Sequence, residues 1–122
     1  MAKIFLDTNI FVDLVEKRKN IEIADFFEHE LFLSPLSVHI LTYIYKYSMP
    51  DKKLEDLKKH FNVVSLNMRI TEQSIIGPTS DFEDNVQLHS AAQAECDLFW
   101  TEDKKLLALK FFGKTRMASS FK

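Results

Sequence analysis

The chain has 122 residues, 46% of them hydrophobic and 11 of them Phe, a content that supports a compact core and excludes a disordered chain. Two Gly and three Pro are too few for an all-β protein built on tight turns, and no apolar run reaches the roughly 18 residues that span a bilayer. The net charge of −2 is not that of a strongly basic nucleic-acid binder, so any phosphate contact must come from local clusters: Lys17-Arg18-Lys19, Lys52-Lys53, Lys58-Lys59 or Lys104-Lys105. Each of these also reads as a solvated helix face.

In chain order, Ile4-Phe5-Leu6 is an unbroken apolar run that suits a strand buried on both faces. Asp7-Thr8-Asn9 then forms a polar turn, and Ile10 to Val15 has the periodicity of a helix. Ile21 to His29 reads as a second helix through Ile23, Phe26 and Phe27, and Leu31-Phe32-Leu33 as a second strand. Ser34-Pro35 is a strong helix start. That helix is expected to run to about Tyr47, with Leu36, Ile40, Tyr43 and Ile44 as its stripe. Asp51 offers a cap for a helix to about His60, on whose buried stripe lie Leu54, Leu57 and Phe61. Val63 to Leu66 is the third expected strand. Thr71 is read as the cap of a short helix that Gly77-Pro78 stops. Phe82 to Glu95 is the next helix, Asp97 to Trp100 a fourth strand, and Lys104 to Lys110 a last short helix. Lys114 to Met117 reads as an edge strand, and Phe111-Phe112 as core, with an interface as the alternative. Strands alternating with helices imply an α/β domain with a mainly parallel sheet, formed by residues 1–122 as one unit. Asp7 interrupts any basic-then-apolar leader, and the lone Cys96 suits a reducing compartment, so a cytoplasmic protein is expected.

Three acids stand out. Asp7 ends the first strand, where ligands bind in open α/β sheets. Asp103 lies just past the fourth strand. Asp84 lies in the first turn of the preceding helix, sharing a face with Leu88, Ala91 and Ala92. A helix that returns antiparallel to the strand it feeds puts its N-terminus near the carboxyl ends of the strands, so all three acids are expected at one edge. Converging carboxylates repel and have raised pKa values unless a cation neutralises them. An all-oxygen site suits Mg²⁺ or Mn²⁺, which can activate water and brace a phosphodiester. Singly, each acid also reads as a helix cap or a favourable N-terminal charge.

The same residues resemble the PIN-domain ribonucleases, and within them the VapC-like toxins of prokaryotic toxin–antitoxin pairs. Phe5-Leu6-Asp7-Thr8-Asn9 with Asp13 is similar to the family's first acidic motif, and Leu33-Ser34-Pro35-Leu36-Ser37 with Tyr43-Ile44 to its second. Asp81-Phe82-Glu83-Asp84 with Gln87, Ala91-Ala92 and Cys96-Asp97-Leu98 is similar to the third, and Thr101-Glu102-Asp103 to the fourth. The resemblance covers nearly the whole chain. It implies a three-layer α/β/α fold with a central sheet of about four to five strands. It also implies metal-dependent cleavage of RNA, with Asp7, Asp84 and Asp103 as Mg²⁺ or Mn²⁺ ligands and Asn9 and Thr101 supporting them. A homodimer and a small antitoxin partner belong to the same expectation. In one place the chain departs: the acid usual in the helix after Ser34-Pro35 is replaced by Ile40. His39 is adjacent but points about 100° away around the helix. Glu83 and Asp81 are close enough in sequence to compensate.

The competing reading is a degenerate domain that binds RNA or a protein without cutting it, which Ile40 and the net charge of −2 favour. An aspartyl-nucleophile phosphoryl-transfer enzyme fits less well, because the position two residues after Asp7 is Asn9 rather than an acid. A dinucleotide-binding fold is excluded, since no Gly-rich turn follows the first strand.

Overall fold

A computed structural model of the chain describes residues 1–18, 22–26 and 28–120. Among these residues, six strands form one sheet in the order β3-β2-β1-β4-β6-β5, close to the four to five expected. They are β1 (Lys3–Leu6), β2 (Glu30–Leu33), β3 (Phe61–Val63), β4 (Leu98–Trp100), β5 (Phe111–Phe112) and β6 (Thr115–Ala118). All neighbours run parallel except β5, which pairs antiparallel with β6. The α-helices are α1 (Thr8–Val15), α2 (Pro35–Ile44), α3 (Lys52–Glu55), α4 (Met68–Ile76), α5 (Phe82–Gln93) and α6 (Lys104–Leu107).

The apolar runs of the central strands follow from burial on both faces. Ile4 and Leu6 of β1, Leu98 and Trp100 of β4 and Ala118 of β6 join one core cluster, which α1 and Leu41 of α2 complete. The intervening Phe5, Phe99 and Met117 turn the other way and pack with Leu88 and Ala91 of α5 and Leu106 of α6. Phe5 and Phe99 stack with ring centroids 5.4 Å apart. Helices thus cover both faces of the sheet. Cys96 is buried in the second cluster, and burial pushes its thiol up to about 12, where it is unreactive.

Caps set several boundaries where expected. Ser34 accepts from Leu36 N, and Asp51 accepts from Leu54 N. Elsewhere the structure corrects the expectation. The cap of α4 is Asn67, which accepts from Ile70 N, so the helix starts before Thr71, whose hydroxyl donates to the Asn67 carbonyl. The helix expected over 21–29 is a 3₁₀ turn, Ile23–Phe26, with residues 21 and 27 outside the described set. The helix expected from Asp51 to His60 divides into α3 and a 3₁₀ turn, Asp56–Lys59. Strand β3 starts at Phe61, because the register Leu31↔Phe61 places that ring in the core and leaves Val63 and Leu66 exposed. The core face of α2 carries Ser37 and Leu41, while Tyr43 and Ile44 are 78% and 57% exposed. On α5, Ala91 is buried but Ala92 is exposed. β6 is interior rather than an edge, since the chain folds back through Gly113 (φ 61°) and β5 becomes the edge. The antiparallel pairing splits the Phe pair: Phe112 packs on the second cluster and Phe111 is exposed.

Candidate functional site

Parallel pairing of β1 with β4 aligns Leu6 with Trp100, and therefore sets Asp7 beside Thr101 at the carboxyl ends of the two central strands. The Asp7 N–H donates to the Trp100 carbonyl at 3.0 Å. The Asp7 carboxylate is buried and doubly held: Oδ1 accepts from Thr8 N at 2.8 Å, and Oδ2 accepts from the Thr101 hydroxyl at 2.6 Å. Thr101 Oγ1 in turn accepts from Asp103 N at 3.0 Å. One hydroxyl therefore ties the acid ending β1 to the acid after β4.

Asp103 is exposed at the start of α6 and caps it, with Oδ1 accepting from Lys105 N at 2.8 Å. Asp84 occupies the first turn of α5 but does not cap it; Asp81 does, accepting from Asp84 N at 2.9 Å. The half-buried Asp84 carboxylate accepts no hydrogen bond among the described residues. Asp81, Asp84 and Asp103 line one cavity of about 320 Å³, together with Thr79, Ser80, Lys105 and Leu106.

The electrostatics follow from this crowding. Burial pushes the Asp84 carboxyl up to about 6, and the charges of Asp81, Asp7, Asp103 and Glu83 push the same way. Burial also raises Asp7, with a contribution from Asp103, against hydrogen bonding from Thr101 and Thr8. Glu83 is raised by burial and by the charges of Asp7 and Asp81, while its hydrogen bond from Thr8 opposes the rise. The three carboxylates share one edge but are not drawn onto a single point. Among the described residues, no group of three acidic, His or Cys side chains is close enough to enclose an ion.

Of the other residues singled out in the sequence, Asn9 is exposed on the first turn of α1 and bonds to none of these acids among the described residues. Asp13 lies at the far end of α1, where Arg18 Nη2 pairs with it at 2.6 Å, so it is structural. Ile40 is half-exposed, and His39 is exposed. Three residues that the sequence reading did not single out for a site role join the edge. The Thr8 hydroxyl donates to Glu83 Oε2 at 2.7 Å and contacts Ser37 Oγ at 2.8 Å, and the buried Gln87 Oε1 accepts from Thr8 N at 3.0 Å. The available signal was their place in the motifs that carry the resemblance, Thr8 in the first, Ser37 in the second and Gln87 in the third.

A hard, oxygen-only donor set with one unpartnered carboxylate and mutual repulsion fits a hard divalent cation, with water completing the coordination. No curated protein shows significant similarity to the sequence. A model of the PIN domain matches residues 4–111, a span that contains both central strands and all three acids, and the chain belongs to the PIN-domain family.

Proposed function

We propose that this protein is a metal-dependent endoribonuclease, acting as the toxin of a toxin–antitoxin pair. PIN domains are generally nuclease domains, and the observation that carries the reading here is the placement of Asp7, Asp84 and Asp103 at one sheet edge, with Asp84 unpartnered and raised to about 6. Asp7, Asp84 and Asp103 would hold Mg²⁺ or Mn²⁺. When bound, such a cation lowers the pKa of water and offsets charge developing on a phosphodiester.

The protein's own groups supply the rest. Thr101 fixes the orientation of Asp7 and holds the Asp103 backbone at a set distance from it. Asp84 faces the cavity, where it would orient the attacking water through its carboxylate. Lys105 lines the same cavity, and Lys104 is exposed beside it at the start of α6, so both suit the phosphate backbone of an RNA strand. A second copy of the chain and a small antitoxin protein are the partners that go with this reading.

A second reading is a PIN-like module that binds RNA or protein without cutting. Ile40, apolar where the family usually has an acid, and the absence of a converged three-acid group among the described residues favour it. Cleavage of a labelled RNA pool with Mn²⁺, Mg²⁺ or chelator, by wild type and Asp84→Asn, separates the two. Metal-dependent cutting that vanishes in the variant supports the nuclease. No cutting by either protein, or equal cutting by both, leaves the binding module.

A further inference from the structure

Gln87 is wholly buried on the inner side of α5. Its Oε1 accepts from Thr8 N at 3.0 Å, but that N–H already donates to Asp7 Oδ1 at 2.8 Å. The start of α1 therefore does not need Gln87 for its hydrogen bonding. The other half of the amide has no structural use: Nε2 makes no hydrogen bond. The amide nonetheless lies beside Asp7, because its Oε1 and Asp7 Oδ1 accept from the same Thr8 N–H. A buried amide hydrogen without a partner costs free energy, and an apolar side chain of similar size, Met or Leu, would avoid that cost.

We propose that Gln87 is a positioning residue for Asp7, gripping the turn at Thr8 with one end of its amide and presenting a donor to the carboxylate with the other, so that Asp7 is preset for a divalent cation. This rests on the nuclease reading. Asp7 then has three neighbours that constrain it, Thr8 N, Thr101 Oγ1 and the Gln87 amide, of which only Gln87 has a hydrogen still to give. Partners of this kind, behind a metal ligand, orient it and tune its basicity.

The test uses the full chain with Gln87→Met, which keeps length and removes both polar ends. Mn²⁺ affinity is read from the electron paramagnetic resonance of free Mn²⁺, alongside thermal unfolding and steady-state RNA cleavage. The variant is expected to unfold at the same or a higher temperature, to bind Mn²⁺ about 10-fold more weakly, and to lose kcat with KM for RNA unchanged. Wild-type Mn²⁺ affinity in the folded variant overturns the proposal and makes Gln87 a core filler. If Gln87→Met does not fold, Gln87→Leu removes the amide with a smaller apolar side chain. Weakened Mn²⁺ binding is expected there too, and wild-type affinity again overturns the proposal. Asp84→Asn is the control for the underlying reading. If wild type binds no Mn²⁺, or binds it no better than Asp84→Asn, the nuclease reading fails and this proposal with it. If wild type binds and Asp84→Asn does not, unchanged affinity in the Gln87 variants sinks the positioning role alone.

Discussion

Asp84 sits in the first turn of α5, yet Asp81 caps that helix through the Asp84 backbone, so the Asp84 side chain is free of structural duty. Asp84→Asn is therefore expected to abolish cleavage and leave the melting temperature equal or higher. The sign of its pH dependence follows from the raised carboxyl. Between the ordinary value of 3.8 and about 6 the native state holds a proton that the unfolded chain releases, so this group's contribution to stability falls as pH rises through that window. Above about 6, Asp84→Asn should exceed wild type by about 1 kcal/mol, after allowance for solvent screening of a half-exposed side chain, and the gap should close below about 4. Melting curves of both proteins in chelator across that range check this. A gap independent of pH would mean that Asp84 is not under charge strain. Thr101 is the opposite kind of residue. Thr101→Val removes the donor to a buried carboxylate and the acceptor for Asp103 N, and is expected to cost about 1–3 kcal/mol and to remove activity. Denaturant titration and the RNA assay read both effects, and retained activity in a stable Val variant would count against Asp7 as a held ligand.

At the scale of elements, α6 shows how one side chain serves structure and site together. Asp103 caps this four-residue helix and faces the acid-lined cavity. Asn caps as well as Asp but carries no charge, whereas Ala does neither. Asp103→Asn should therefore keep wild-type stability and lose metal-dependent cleavage, while Asp103→Ala should lose cleavage and a further ~1 kcal/mol. Equal destabilisation by the two variants, seen in urea titrations, would show that the cap contributes nothing. The return of α5 from the carboxyl ends of the strands to their amino ends has the same double character. Its apolar side, Leu88 and Ala91, packs on Phe5 and Phe99, and this packing carries Asp84 to the edge where β1 and β4 end.

At the scale of the whole molecule, and among the described residues, three of the four basic clusters contain at least one side chain held in an ion pair. Lys52 and Lys59 both pair with Asp56, Lys53 with Glu16, and Arg18 with Asp13. Lys104 and Lys105 are instead exposed next to the acidic cavity. With a net charge of −2, binding of RNA then depends on few cations. Replacing both lysines by Ala is expected to raise KM for single-stranded RNA and to lower the salt slope of log KM by about 0.7 per lysine, with the fold unchanged. An unaltered slope would place the RNA path elsewhere. No helix among the described residues is long and apolar enough to cross a membrane.

The sequence by itself determined whatever is settled within a few residues. Ile4 to Leu6 and Leu98 to Trp100 announce buried strands because an apolar run is unstable anywhere else, and Ser34-Pro35 and Asp51 announce helix starts because the orphan N–H groups follow at once. The three acids were legible in the same way, each from its place after a strand or at a helix start. Local chemistry alone did not choose the face of α2, whose apolar residues are spread around the helix, so only packing could select Ser37 and Leu41 over Tyr43 and Ile44. Nor did it choose between Asn67 and Thr71, two good caps one turn apart. The joining of Asp7 to Thr101 spans 94 residues and depends on the β1–β4 register. Gln87 was legible as a motif residue, but its place beside Asp7 was not, because helical spacing reports which face a residue is on, not which distant carboxylate that face will meet. Such pairings are decided by tertiary structure, because the free energy that sets a sheet register comes from apolar contacts between segments far apart in the chain.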